Sequence, residues 1–340
     1  MDSITQIVLG AACGEAVLGK KIGNRALLFG AIGGTIPDLD VFVGKLLFNN
    51  EIDAMAFHRG FMHSFLFAIL AAVGFGMLVF WMYNRGKRYG MTTKKEWMWL
   101  FFASIFTHPI LDSFTAYGTQ LFSPFSNYRV AFNNIAVADP MYTLPFLIAL
   151  IIMMCFKRTS TKRRLFLQIG LGISSLYMLL TLVNKYHVHG VYKQALADQQ
   201  IDYFRFQTQP TILNNILWYG IAETTDAYFV GFYSILDTEA TINKWHKLPK
   251  NHELIEGMPT DLETLAWFSD GYYNLNVMDK SDTFLFKDLR YPLMDETDPN
   301  SSIFKFTITK TNDRWEAAPF YVSDINEGAR DAFWTRLKGI

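Results

Sequence analysis

The sequence predicts an α-helical integral membrane bundle of about six spans in residues 1–184, followed by a small α+β, sheet-containing extracytoplasmic domain in residues 185–340. Three observations predict this fold class. Charge-poor apolar runs recur in the first half, basic clusters separate them, and alternating segments typical of strands follow Val183. The halves also differ in charge, since residues 1–184 contain 16 Lys and Arg against 9 Asp and Glu, and residues 185–340 contain 15 against 22.

The apolar runs lie at 64–83, 97–107, 141–156 and 165–183, with two shorter Gly- and Ala-rich runs at 4–18 and 26–36. A helix needs about 20 residues to cross the hydrocarbon core, and Ser64–Tyr83 reaches that length without a charge. Buried helices of a soluble protein are the alternative, but four or more such runs with basic clusters between them favour the membrane. The first run lacks a basic leading region and is interpreted as a retained helix.

Basic residues set the predicted orientation. They fall in three loops, which the positive-inside rule places in the cytoplasm, so that everything after Val183 lies outside. The three groups are Lys20, Lys21 and Arg25; Arg85, Lys87, Arg88, Lys94 and Lys95; and Lys157, Arg158, Lys162, Arg163 and Arg164.

The second half shows the period-two alternation of half-buried strands. We expect strands at 216–223, 227–236, 283–289 and 303–309, and a helix at 261–268. Cys13 and Cys155 both lie in apolar segments, so packed thiols are expected rather than a disulfide framework.

Acids and histidines gather beside the apolar runs, on the predicted outer side. Pro37 disfavours helical geometry at Ile36 and is expected to break the second run. Non-helical backbone at membrane depth requires a protein-lined cavity, which is therefore expected at the acids that follow. His108 and Asp112, four residues apart, would share one helix face. The six candidate metal ligands are Asp38, Asp40, His58, His63, His108 and Asp112.

This mixture of carboxylates and imidazoles suits a divalent metal, with Zn²⁺ preferred and Mn²⁺ or Fe open. Six donors exceed one tetrahedral shell, so one or two ions are expected, and two would clamp a transferring phosphoryl or acyl centre. A single histidine could instead bond between helices, and a single Asp could cap a helix. The desolvation cost of several unpaired acids favours a bound cation for the whole group.

Further residues lie near this group in the sequence. Arg59 could hold a substrate phosphate or oxyanion, and Asp139 could orient a ligand histidine or bind the ion itself, so Asp38, Arg59 and Asp139 are the candidate catalytic residues. Glu15, inside the first run, is interpreted chiefly as structural, whereas Gln6 is better placed to reach the site.

The sequence resembles the bacterial membrane-bound metal-dependent hydrolase family, the YdjM-like inner-membrane proteins. The resemblance rests on Met1–Gln6, Ile36–Asp40, His58–Ser64, Thr107–Asp112 and Ala138–Pro140, and it extends into the tail at Asn214–Trp218 and Asp288–Arg290. It thus covers most of the chain, and His58–Ser64 is its most specific part. It implies a multi-span membrane protein, the six ligands above, and distant similarity to zinc-dependent phospholipase C. Many members have Thr-His where this chain has Thr5-Gln6, and an amide is the poorer zinc ligand.

The predicted function is hydrolysis of a phosphoester or related ester, of a lipid or a soluble molecule, at the outer membrane interface by metal-activated water. Two alternatives stay open: a non-enzymatic membrane protein with a structural metal or polar network and a partner-binding outer domain, and a proton or cation transporter, for which paired internal repeats are lacking. No glycine-rich phosphate loop, nucleophile elbow or basic face indicates nucleotide or nucleic-acid chemistry.

Overall fold

The computed structural model describes residues 1–278, 282–291, 302, 304–311, 314–320 and 327–339. The chain divides into two compact units. The first comprises Met1–Val43, Phe57–Leu182 and Ile212–Asn214; the second comprises Gly44–Ala56, Val183–Thr211 and the described part of Asn215–Ile340.

Eight of the ten described helices lie before residue 199, and several begin at residues whose side chains cap them. Asp2 accepts a hydrogen bond from the Thr5 backbone, and Thr93 and Glu96 form a reciprocal capping box. The helices are α1 (Ser3–Ile22), α2 (Asn24–Thr35), α3 (Asp40–Leu47), α4 (Glu51–Phe57), α5 (Phe65–Tyr83), α6 (Lys94–Ser113), α7 (Pro140–Met154), α8 (Thr161–Asp198), α9 (Thr260–Phe268) and α10 (Glu327–Leu337).

Helices α1 and α2 form a closely packed hairpin. Gly23 alone separates them, and its φ of 61° is one that glycine adopts without strain. A Cβ atom at Gly10 would overlap the backbone of Gly30, and one at Gly14 would overlap the carbonyl of Ala26. Small residues at these positions therefore let the two backbones touch, as is typical of helix pairs in membranes.

Two described helices, α5 and α8, are long and apolar enough to cross a membrane. Helix α2 and the segment Pro37–Leu47, which meet at a 45° bend, would together make a third span, and α7 is a shorter apolar helix. The sequence predicts about six spans; helices α1 and α6 have 20 residues each, but charged side chains within them lower their apolar character.

Helix α8 extends to Asp198, well beyond the predicted end of its apolar run at 183. Its later turns bury Val188, Val191, Tyr192 and Ala195, whose spacing of three and four residues continues one helix face. The helix therefore ends where its buried face ends, and not where the apolar run ends.

The second unit contains two four-stranded antiparallel sheets, in the orders β1-β2-β3-β4 and β5-β6-β7-β8. In the first, Gly220 pairs with Gly231; in the second, Leu275 pairs with Phe286. Leu262 and Leu265 of α9 pack in the core of the second sheet. The strands are β1 (Arg205–Pro210), β2 (Leu217–Glu223), β3 (Ala227–Ser234), β4 (His246–Pro249), β5 (Tyr273–Val277), β6 (Thr283–Asp288), β7 (Lys305–Thr311) and β8 (Arg314–Pro319).

The strands predicted from alternation are confirmed as β2, β3 and β6, and the helix predicted at 261–268 is confirmed as α9. The strand predicted at 303–309 corresponds to β7 at 305–311, and Ile303 lies outside the described residues. Strands β1, β4, β5 and β8 were not predicted.

Candidate metal centre

Four side chains from three separate elements converge inside the first unit. Asp38 lies in the 3₁₀ turn Pro37–Leu39, His63 lies in the 3₁₀ turn Phe61–His63, and His108 and Asp112 lie one turn apart on α6. One ligand atom from each lies within 4.8 Å of all the others. These four residues could therefore bind a metal ion.

The break in backbone that positions Asp38 is gentler than predicted. Helix α2 ends at Thr35, but Ile36 keeps right-handed helical dihedrals of φ −55° and ψ −44°, and the chain continues into the 3₁₀ turn with a 45° bend. The expected loss of helical geometry at Ile36 is wrong, because a 3₁₀ turn accommodates Pro37 at its first position. The turn still presents Asp38 toward α6.

Five of the six distances between the four ligand atoms lie between 3.1 and 3.5 Å. Nε2 of His63 lies 3.1 Å from Nε2 of His108. Asp38 Oδ1 lies 3.5 Å from the first of these nitrogens and 3.4 Å from the second, and Asp112 Oδ2 lies 3.4 Å and 3.5 Å from them. Donors that surround Zn²⁺ tetrahedrally at about 2.0–2.1 Å lie about 3.3–3.4 Å apart. These five distances are therefore compatible with one shared ion.

The far side of each imidazole faces an acceptor. Nδ1 of His108 lies 2.6 Å from the carbonyl oxygen of Gly34, and Nδ1 of His63 lies 3.0 Å from Asp40 Oδ2. A hydrogen on Nδ1 of each ring would leave each Nε2 with a lone pair directed into the cluster. Two such lone pairs 3.1 Å apart would repel each other, and a cation between them would remove that repulsion.

Asp112 carries further evidence that a partner belongs at the centre. Its Oδ2 is buried and lies 3.2 Å from Arg59 Nε, but no described residue donates a hydrogen bond of good geometry to it. Its Oδ1 accepts hydrogen bonds from the amino group of Met1 and, at 3.0 Å, from Gln6 Nε2. Buried carboxylate oxygens rarely lack a partner, so Oδ2 fits the role of a metal ligand.

Asp40 and His58 lie beside the four converging side chains. Asp40 Oδ1 lies 2.8 Å from His58 Nδ1, and its Oδ2 faces His63 and accepts a hydrogen bond from the Arg59 backbone at 2.9 Å. Both of its oxygens are thus engaged outside the centre. The geometry favours Asp40 as the group that orients His63, with His58 next to it at the edge.

A family model described as YdjM inner membrane protein matches residues 1–188, more than half of the chain. The chain belongs to this family. It is also similar to the uncharacterized protein YfhP of Bacillus subtilis (strain 168), being 30% identical over 159 residues. That alignment covers 45% of this chain and 46% of the relative, so the chain spans about half the length of this curated relative. No solved structure matches the chain.

All four converging residues of this YdjM family member lie within the matched range, as does Arg59, a predicted catalytic residue. The Arg59 guanidinium is buried, with Nε 3.2 Å from Asp112 Oδ2 and Nη1 donating to Thr115 Oγ1 at 3.0 Å. It also lies over the ring of Tyr117 at 4.5 Å. Arg59 therefore offsets the charge of Asp112 from within the protein.

Asp139, also predicted as catalytic, is placed apart from the four ligands. Its Oδ1 caps α7 by accepting from the Met141 backbone at 3.0 Å, and its Oδ2 accepts from the Tyr177 hydroxyl at 2.9 Å. Among the described contacts neither oxygen meets a histidine. Its position before Pro140 explains this role, because an Asp before a helix-starting proline is a favoured cap.

Gln6 and Glu15, the two polar residues of the first apolar run, have different roles in the structure. Gln6 joins the surroundings of the centre, where its Nε2 donates to Asp112 and, at 3.2 Å, to the His108 carbonyl. Glu15 forms a buried two-bond pair with Arg163, at 2.7 and 2.6 Å. The structural interpretation of Glu15 is thereby confirmed.

Sequence reasoning missed two contributors to the centre. The Gly34 carbonyl holds His108, but a backbone oxygen leaves no signal in residue types. Tyr117 packs its ring against His58 at 5.4 Å. Its place five residues after Asp112, in a loop between apolar runs, is the signal that could have drawn attention to it.

Proposed function

We propose that this chain is a multi-pass inner-membrane metalloprotein. It hydrolyses a phosphoester or related ester at the outer, extracytoplasmic face of that membrane. The convergence of Asp38, His63, His108 and Asp112 is the observation that carries the proposal. The family description names only an inner membrane protein, so hydrolase activity and similarity to zinc-dependent phospholipase C are parts of this proposal.

Zinc is the proposed ion because two imidazoles and two carboxylates are a donor set that Zn²⁺ accepts, although Mn²⁺ and Fe²⁺ also bind these groups. One ion fits the four converging donors. A second would need Asp40 and His58, which bond to each other at 2.8 Å. When bound, such an ion polarises an ester oxygen and activates water at neutral pH.

Neighbouring residues would position the metal ligands, and one ligand would be accessible to a substrate. Asp40 and the Gly34 carbonyl fix the two imidazoles, and Arg59 limits the negative charge of the cluster. Asp38 has 27% of its side chain exposed, whereas the other three ligands are almost fully buried. The substrate would therefore approach from the side of Asp38.

Apolar side chains beside that opening favour a substrate with an apolar part. Leu39 and Phe42, which follow Asp38 closely in the chain, are 47% and 66% exposed. A water-facing protein surface rarely exposes such groups together, whereas a lipid would cover them. A membrane phosphoester is thus the favoured substrate class.

The proposed topology rests on charge. The 13 basic residues of the three loops favour a cytoplasmic position for those loops, six crossings of the inner membrane, and an extracytoplasmic second unit. Helices α1 and α6, each 20 residues long, would supply spans beyond those recognised by composition.

A structural metal is the second candidate, and one observation favours it. The number of protein donors, four, equals that of a closed tetrahedral shell, whereas catalytic zinc sites commonly have three protein ligands and keep a position open. In that case the ion would join α6 to the two 3₁₀ turns without reacting.

Metal content and hydrolysis together test both candidates. We expect one zinc per chain by inductively coupled plasma mass spectrometry in protein purified in nanodiscs, and loss of that zinc in His63→Ala and Asp38→Ala but not in the control His187→Ala, whose residue lies in the second unit. Zinc-dependent release of phosphate or alcohol from a panel of phospholipids and soluble phosphodiesters would support hydrolysis. Bound zinc with no turnover would favour the structural candidate, and absence of stoichiometric metal would refute both.

A further inference from the structure

A basic pocket of about 360 Å³ lies in the first unit, where α1 passes into α2 and α7 passes into α8. This volume falls within the range of small-ligand sites, about 300–1,000 Å³. Three of its lining residues are arginines, and the described lining contains no carboxylate. The lining residues are Ile22, Gly23, Asn24, Arg25, Phe156, Arg158 and Arg163.

Arg163 forms the buried wall of the pocket. It is 2% exposed, bonds Glu15 through two nitrogens, and donates through Nη1 to Asn24 Oδ1 at 2.7 Å. Asn24 in turn donates to the Met154 carbonyl at 3.2 Å. The charge of Glu15 is therefore neutralised behind the pocket, and the wall is held in place by hydrogen bonds from α1, α2 and α7.

Arg25 and Arg158 supply the positive charge at the front. Arg25 Nη1 donates to the Tyr83 hydroxyl at 3.4 Å, and Arg158 Nη1 donates to the Lys21 carbonyl. Among the described residues neither arginine is paired with a carboxylate. Each guanidinium carries five N–H donors in a planar fork that matches phosphate oxygens, so both have donors to spare.

The N-terminus of α2 adds to the positive potential of the pocket. Helix α2 has 12 residues, and its N-cap Gly23 offers no side chain to cap the first turn. The N–H groups and positive dipole end of such a helix favour an anion, and the arginines lie in the same pocket. The two features together point to a phosphate-sized anionic ligand.

We propose that this pocket binds a phosphate-bearing anion, and that the source is the headgroup of an anionic phospholipid. The pocket lies at the ends of apolar helices, and Phe156 gives it an apolar wall. Leu28, Met154 and Leu165, close to the lining in sequence, are 58%, 45% and 51% exposed. An acyl chain would cover these side chains, whereas inorganic phosphate would not. Basic pockets between membrane helices on the cytoplasmic side are suited to such headgroups.

Native mass spectrometry of the full chain released from detergent tests the proposal. Mixed micelles would contain phosphatidylglycerol and phosphatidylcholine in equal amounts, and the variant Arg25→Gln/Arg158→Gln would be compared with Arg85→Gln/Lys87→Gln. The control pair removes the same charge from a different basic loop. We expect wild type and control to retain one phosphatidylglycerol per chain, and the pocket variant to retain at least five-fold less. Arg158→Lys, which keeps the charge but loses the fork, should fall between them.

Two results would overturn the proposal or redirect it. Equal retention by the pocket variant and the control, with both variants unfolding at the wild-type temperature, would show that the pocket is not the lipid site. Saturable binding of inorganic phosphate alone, lost in the pocket variant and able to displace phosphatidylglycerol at micromolar concentration, would assign the site to free phosphate. Neither result depends on the metal centre, because the variants change no residue of it.

Discussion

Nε2 of His63 and Nε2 of His108 face each other across 3.1 Å, and an acceptor oxygen lies close to Nδ1 of each ring. The two rings are therefore arranged for a shared cation. Two carboxylate oxygens, from Asp38 and Asp112, complete the same arrangement.

Removal of the ion should lower stability. Without a cation the two imidazoles and two carboxylates repel one another in a buried site. Dialysis against a chelator should lower the apparent melting temperature, and at a free zinc concentration 1,000 times the Kd the stabilisation returned is about 4 kcal/mol. Differential scanning fluorimetry with and without zinc measures this shift. His63→Ala should show none, and a shift of wild-type size in that variant would contradict the assignment.

Asp40→Asn should weaken metal binding without abolishing it. Loss of the carboxylate that orients His63 is expected to lower zinc affinity about 10–100-fold, as for other groups that support metal ligands. Competition with a fluorescent chelator measures the affinity. Asp139→Asn serves as the control and should bind zinc like wild type, because Asp139 caps α7. Complete loss of zinc in Asp40→Asn at saturating metal would instead make Asp40 a direct ligand, as the sequence predicts.

The pair Glu15 and Arg163 should be important for stability and irrelevant for metal content. Glu15→Gln leaves a buried guanidinium without its counter-charge, at an expected cost of about 3–5 kcal/mol. Unfolding in a denaturing detergent, followed by circular dichroism, checks the cost. Glu15→Met/Arg163→Met should recover much of it. A zinc content below wild type in folded Glu15→Gln would show that Glu15 acts on the centre.

Gly14→Ala should destabilise the hairpin of α1 and α2 by about 1–3 kcal/mol, because the added Cβ overlaps the Ala26 carbonyl and forces the helices apart. Gly74→Ala is the matched control, since nothing lies within 4 Å of its Cβ position. That change should be neutral or stabilise helix α5, as alanine is the better helix former. Equal melting temperatures for the two variants would contradict the close packing.

The second unit should lose stability as the pH falls below about 6.5. Burial lowers the pKa of His252, whose ring stacks on Tyr273 at 4.0 Å and whose Nε2 lies 2.9 Å from the Tyr273 carbonyl. The unfolded state therefore binds the proton first, so the stability from neutral His252 is present above the unfolded pKa and disappears toward the lower folded pKa. Melting curves at pH 7.5 and 5.5 should show a smaller drop for His252→Gln than for wild type.

The residues of the centre could be predicted because acids and histidines beside apolar runs are costly unless they are paired. Their division into ligands and supports could not, since it depends on the fold. Asp38 and Asp40 are two residues apart and chemically identical, yet Asp38 joins the four converging side chains and Asp40 lies at Nδ1 of His63. Asp139 has the same residue type as the ligands, but its helix end decides its role.

In the second unit, likewise, some elements could be predicted from local sequence pattern and others could not. Strands β2 and β3 alternate clearly and could be predicted. Strand β4 has only four residues, and β1 mixes polar residues on both faces, so their pairing is set by the neighbouring strands and not by local pattern. Helix α8 extends beyond its apolar run because tertiary packing continues its buried face.

The ligands of the centre are spread from residue 38 to residue 112, which has a consequence for how the protein is made. During synthesis, Asp38 and His63 emerge before α6 exists, so the four side chains can come together only after α6 has been made. An ion held by all four would then bind after the helices that precede α6 have formed, and it would not serve as a nucleus for them.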